Sequence, residues 1–271
     1  MNIQNEYEVL LANVAAFGKS KKDRTGTGTK SVFGRIIKHD MSLGFPLLTT
    51  KKVYFNSALT EILWILQGRT DVTYLRENGV KYWDADYERS GRSDMSLGPV
   101  YGKQWRDFGG VDQIKNLLKD INTNPTSRRL MVSAWNPIDM PNMVLPPCHY
   151  GFQVYINNGI IDLMWQQRSV DIFLGLPYDI AMYGLLLEFL AKGANLKPGM
   201  LIGQLGDCHL YNNHIDQAEE MLRRIVYHLP TISLSKGLYL SGDEVVIPNH
   251  NSVSLNNYKS HPPISAPLSV G

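Results

Sequence analysis

Apolar residues recur at helical spacing over residues 5–18, so the chain is expected to open with a helix. "NSALTEILWILQG" (56–68) is apolar almost throughout and predicts a buried helix that carries one acid, Glu61. "VDQIKNLLKDINTNP" (111–125) alternates in the manner of an amphipathic helix and should stop near Pro125. "IAMYGLLLEFLAKGAN" (180–195) predicts a long buried helix ended by Gly193, and "IDQAEEMLRRIVYHLP" (215–230) another ended by a proline. "DRTGTGTKSVFGRIIKHD" (23–40) turns from Gly-Thr alternation to β-branched residues, which predicts a loop feeding a strand. Residues 129–137, 150–169 and 200–211 are further strand candidates, the middle one broken by a turn at "NNG". Helices and strands mix without regular βαβ alternation, which gives α+β. No repeat, low-complexity tract or linker divides the chain, so residues 1–271 are expected to form a single domain.

Composition sharpens this picture only a little. A content of 44% hydrophobic and 19% charged residues fits a soluble globular protein. The net charge of +2 speaks against a nucleic-acid-coating protein but leaves room for local anion sites. Two cysteines, Cys148 and Cys208, are too few for a disulfide framework and fit a reduced, cytoplasmic setting. The first residues carry charge where a signal peptide would be apolar, and no run approaches the ~18 apolar residues of a membrane span.

Cys148 in "LPPCHY" is either a small strand residue or a thiolate nucleophile, and the second role needs positive charge nearby. Arg24, Arg128, Arg129 and Arg168 would make a dianion clamp if the fold gathered them. Adjacent Arg128 and Arg129 point to opposite faces if extended, so one of them could serve a neighbouring subunit. Glu61 is either a solvated helix position or a buried acid used for proton transfer. His209 and Tyr211 share one face of a strand, and His209 with His214 lacks further metal ligands, so no metal is expected. In "GLPYDIAMYG" (175–184), Asp179 stands at the entry to the long helix, where it could cap the helix or face a ligand.

"DRTGTGTKSVFG", "EILWILQG", "LGPVYGKQWR", "SRRLMVSAWNP", "LPPCHYGFQVY", "QRSVDIFLGLPYDIAMYGLLLEFLA", "GDCHLYNNHIDQ" and "YKSHPPISAPLSVG" occur in an order and spacing that resemble the thymidylate synthase family over nearly the whole chain. The resemblance implies the α+β thymidylate synthase fold, with a large mixed sheet packed by helices and placed at a homodimer interface. It implies Cys148 as the nucleophile that adds to C6 of a pyrimidine, and Arg24, Arg128, Arg129, Arg168 and Ser169 as the phosphate site. Arg128 and Arg129 would then come from the partner subunit. Asp179 corresponds to a base contact, Gln167 to a further substrate contact, and His209 and Tyr211 to deoxyribose contacts. Glu61 corresponds to the acid that organises proton transfer, and Tyr101 to the tyrosine that helps remove the C5 proton. Trp83, Leu145, Asp171, Gly175, Tyr178 and the C-terminal tail correspond to the site of the co-substrate, 5,10-methylenetetrahydrofolate.

Three departures from the family pattern bear on function. The family has Asn where this chain has Asp179, and the phage deoxycytidylate hydroxymethylases of the same superfamily also carry Asp there. The stretch after Trp83, "DADYERSGRSDMS", is long and places Asp86 where many members have a second tryptophan. The tail ends one residue beyond the usual terminal apolar residue. Methylation of dCMP is therefore the expected activity, with dCMP hydroxymethylation and ordinary dUMP methylation as alternatives. A non-catalytic nucleic-acid-binding regulator is the alternative of another class. Retention of Cys148, Glu61 and the four arginines speaks against it.

Overall fold

A computed structural model of the chain describes residues 1–269. The expected extra terminal residue, Gly271, lies outside the described residues. The helices are α1 (Ile3–Phe17), α2 (Phe55–Leu66), α3 (Val72–Glu77), α4 (Asp84–Arg89), α5 (Tyr101–Arg106), α6 (Gln113–Thr123), α7 (Leu176–Ala194) and α8 (Ile215–Leu222). The strands are β1 (Lys19–Lys21), β2 (Thr29–Asp40), β3 (Met131–Ser133), β4 (His149–Asn157), β5 (Ile160–Asp171), β6 (Lys197–Tyr211), β7 (Thr231–Leu234), β8 (Tyr239–Ser241), β9 (Glu244–Val246) and β10 (Val253–Asn256).

Six strands form one mixed sheet in the order β1-β2-β6-β5-β4-β3. β5 and β6 run parallel, because α7 crosses between them, and the other pairs in this sheet are antiparallel. The small pairs β7–β10 and β8–β9 lie outside it. α1 and α7 pack on the sheet and α2 packs on α7. Between them lies a core that includes Trp64, Phe152, Trp165, Tyr183 and Phe189. The other side of the sheet is open and apolar: Phe33 is 82% exposed, Ile36 58% and Tyr155 62%. Among the described residues no helix is long and apolar enough to cross a membrane.

Four local expectations need correction. The strand expected from residue 129 begins only at Met131. Arg128 and Arg129 lie in a turn before it, both exposed, so strand alternation does not decide where they point. Gly193 does not end α7. The helix runs to Ala194 and stops at Asn195 in the left-handed region (φ 55°). Gly193 is needed because a Cβ there would stand 1.9 Å from the Leu238 carbonyl oxygen, so the chain at 238 passes directly against the helix. The helix from 215 ends at Leu222, well short of Pro230. There Thr49 Oγ1 accepts from the Tyr227 backbone N–H at 2.9 Å and Arg224 donates to the Thr50 carbonyl at 2.9 Å, which draws the segment away from the helix axis. Finally, α7 starts at Leu176, with Gly175 at the cap position and Pro177 in the first turn, so Asp179 lies inside the helix and is not its cap.

Candidate active site

Between the sheet and the 80–86 segment lies a cavity of about 410 Å³. Cys148 reaches it from the entry to β4, and Gln167, Ser169 and Asp171 from the end of β5. Gly175, Tyr178 and Asp179 come from the start of α7, and Tyr101 from the start of α5. Glu61 enters from α2, and Trp83 and Leu145 from loops. The C-terminal segment closes one side through Ala266 and Leu268. Of the residues expected at a site, these eleven share one space. Arg24, Arg128, Arg129, Arg168, His209 and Tyr211 do not line it.

The backbone around Cys148 is held on three sides. Tyr101 Oη accepts from the Cys148 N–H at 2.9 Å. The Cys148 carbonyl accepts from the Arg168 N–H at 2.9 Å. The Arg168 guanidinium donates to the carbonyls of Pro147 (2.9 Å) and Pro146 (3.1 Å), so the two prolines present acceptors that fix an arginine bearing on the thiol. Burial nevertheless pushes the Cys148 thiol up to about 11; Arg168 opposes this, while Asp179, Asp86 and Asp171 reinforce it. In the single chain Arg168 is thus an arginine that favours the thiolate. Cys208 is fully buried and its thiol is pushed up to about 12 by burial, which suits a core residue.

Behind Cys148, His149 stacks on Tyr101 with ring centroids 4.2 Å apart, and its Nδ1 lies 2.8 Å from the Tyr183 hydroxyl. Burial lowers this imidazole to about 3, so it stays neutral at physiological pH. Glu61 is buried, and burial raises its pKa. Trp83 Nε1 donates to its Oε1 at 2.9 Å and Tyr82 Oη to its Oε2 at 2.6 Å. Tyr82 also lines the cavity, and no spacing rule singled it out. The signal was indirect: a lone acid in an apolar helix demands buried donors from somewhere.

Asp179 accepts from Gln167 Nε2 at 2.8 Å through Oδ2. Burial raises its pKa to about 7; the Gln167 bond opposes this, and Glu61 and Asp171 add a lesser upward push. Asp171 is committed to the turn that follows β5, where its Oδ1 accepts from the N–H groups of Phe173 (3.0 Å) and Leu174 (3.1 Å). Asp86 also lines the cavity and pairs with Arg89 at 2.5 Å.

Of the remaining arginine and ribose candidates, His209, Tyr211 and Arg24 lie on the side of the thiol. His209 pairs in register with Asp171 across β5 and β6, and its ring meets Tyr211 edge-on at 5.3 Å. Arg24 and Cys148 both act electrostatically on the Tyr211 hydroxyl, which places the loop before β2 on the same side as the thiol. Arg128 and Arg129 are exposed in the turn before β3 and do not line the cavity.

A thymidylate synthase family model matches residues 5–270. The chain belongs to the thymidylate synthase family. As a member it is a methyltransferase that carries out folate-dependent C5 transfer to a pyrimidine nucleotide, and methylenetetrahydrofolate is the family's co-substrate. The six-stranded mixed sheet packed by helices is consistent with the thymidylate synthase fold.

Proposed function

We propose that this protein methylates dCMP at C5, with Cys148 as the nucleophile and methylenetetrahydrofolate as one-carbon donor. The observation that supports dCMP is Asp179, a half-buried carboxyl facing the same cavity as Cys148 with one oxygen fixed by Gln167. Cytosine presents an acceptor at N3 and donors at N4, whereas uracil presents a donor at N3 and an acceptor at O4. With a pKa of about 7, Asp179 can give a proton toward N3 and accept from N4–H2. Once ionised it has no donor for O4 of uracil and repels that oxygen.

In this reading the Cys148 thiolate adds to C6, and the C5–C6 π pair moves onto C5 and the N3 side of the ring, where Asp179 stabilises it. Bound folate supplies the methylene carbon and, for methylation, a hydride. Glu61 and Tyr101 serve removal of the C5 proton, after which Cys148 leaves as thiolate. Trp83, Leu145, Leu174 and Tyr178 give the cavity an apolar wall that fits a flat heteroaromatic ring, with Asp171 at its edge. Arg24 and Arg168 form one half of the phosphate clamp. Arg128 and Arg129, exposed and not lining the cavity in one chain, complete it from the partner of a homodimer formed across the open sheet face.

Asp86 favours a second reading, dCMP hydroxymethylation. A carboxylate on the cavity wall can hold water beside the reacting carbon, where an aromatic ring would exclude it. Mass spectrometry of the products from dCMP and from dUMP separates the readings: 5-methyl-dCMP supports the first and 5-hydroxymethyl-dCMP the second. Asp179→Asn should move the dCMP-to-dUMP ratio of kcat/KM toward dUMP by at least about tenfold, the worth of one mismatched buried polar group. A wild type that prefers dUMP, or a ratio unmoved by the substitution, would make this an ordinary dUMP methylase.

A further inference from the structure

Adjacent residues Tyr82 and Trp83 reach the two different oxygens of a single buried carboxylate, Glu61. Val80, buried at 1% exposure, and Trp83, at 7%, anchor the segment on both sides of Tyr82, so its hydroxyl is delivered from a fixed backbone. The 2.6 Å separation from Oε2 is in the range of a phenol donating to an ionised carboxylate. One donor per oxygen leaves each oxygen a lone pair that can face the cavity. We infer that Tyr82 is a positioning residue for proton transfer, aiming Glu61 and, together with Trp83, holding it ionised in the cavity.

This inference rests on the proposed role of Glu61 as the proton-transfer acid. Burial favours the neutral form of Glu61, and the bonds from Tyr82 and Trp83 both oppose that preference. Tyr82 itself stays a phenol, because burial and the neighbouring Glu61 raise its own pKa well above 10.0. It therefore donates to Glu61 without competing for the proton. The titratable groups that face Glu61 are Tyr82, Tyr101 from α5, and Asp179 and Tyr183 from α7. All three tyrosines titrate far above neutrality, which leaves Asp179 as the group whose titration must be separated from that of Glu61.

The test is the pH profile of kcat for Tyr82→Phe against the parent, recorded in wild type with dCMP and again in an Asp179→Asn background with dUMP. Removing the hydroxyl leaves Oε2 without its donor. The acid limb should move to higher pH in both backgrounds, and kcat should fall about ten- to a hundredfold, the worth of one charge-assisted hydrogen bond. Nucleotide affinity should not change. Tyr82→His, which returns an N–H donor, should recover part of the lost rate and shift the limb back. In combination with Glu61→Gln, the Phe substitution should cause no further loss, because both act through one group. Equal shifts for the Phe and His variants, an unmoved limb, or additive losses would overturn the role of Tyr82 while leaving that of Glu61 standing. Wild-type turnover by Glu61→Gln alone would overturn both.

Discussion

Asp179 differs from an asparagine by one oxygen in place of an amide nitrogen. An asparagine always carries a donor and an acceptor, whereas Asp179 carries the donor only while protonated. Its pKa, 3.8 when unperturbed, rises to about 7 in the fold. Between these values the unfolded chain has lost the proton and the folded chain keeps it. Its contribution to stability is therefore fully present below about 3.8 and declines as the pH rises to about 7. Asp179→Asn removes this decline. Its Tm relative to wild type should increase from pH 5 to pH 8 by about 4 °C, corresponding to roughly 2 kcal/mol in a chain of this size. Thermal melts of both proteins across that range measure it, and a difference independent of pH would show that Asp179 is not buried against ionisation. The candidate chemistry of Cys148, Glu61 and Asp179 was legible as residue types in unusual places. Their protonation states were not, since desolvation depends on neighbours distant in sequence.

At the level of elements, the start of α7 and the C-terminal segment do most to shape the cavity. Beginning α7 at Leu176 carries Tyr178 and Asp179 into its first turn and directs both into the cavity. The apolar pattern located the helix but not its first turn, because Gly-Leu-Pro reads equally as loop or helix entry. The C-terminal segment is strapped down by the body of the protein. The His261 N–H donates to the Thr49 carbonyl at 2.8 Å, Arg224 donates to the Pro262 carbonyl at 2.8 Å, and the fully buried His214 contacts the Pro267 carbonyl through Nε2 at 2.7 Å. A carbonyl only accepts, so His214 holds this contact as the Nε2–H tautomer. His214 also packs on Phe173 and Tyr211. His214→Phe keeps the ring and loses the donor. It should raise KM for methylenetetrahydrofolate about three- to tenfold, the worth of one hydrogen bond, and speed carboxypeptidase removal of the tail. Unchanged KM and unchanged proteolysis would show that the contact does not hold the segment closed.

For the whole molecule, the sheet is the decisive object. One face carries the core, and the other presents Phe33, Ile36 and Tyr155 to solvent beside a second hollow of about 440 Å³ lined by Arg35, Tyr150 and Arg168. Pairing two such faces would bury this apolar surface and bring exposed arginines of one chain to the other. Under the proposed homodimer, Arg129→Ala and Cys148→Ser are each inactive alone. Mixed and allowed to exchange subunits, they should recover about a quarter of wild-type activity, because half of the dimers are mixed and each mixed dimer has one intact site. Heterodimers that form without recovering activity would place the arginines in the same chain as the cysteine they serve.

The sequence by itself determined the order of the main helices and strands, the mixed α+β character and which residues are candidates for the chemistry. Periodicity and turn chemistry act over a few residues, so they can be read along the chain. Only the tertiary structure decided that Gly193 serves a close crossing and not a helix end, and that Arg128 and Arg129 stand outside the cavity. Only it joined Tyr82 and Trp83 to the two oxygens of Glu61, about twenty positions earlier in the chain. Burial and hydrogen bonding between segments set these features, and both depend on which surfaces meet once the sheet and helices have packed.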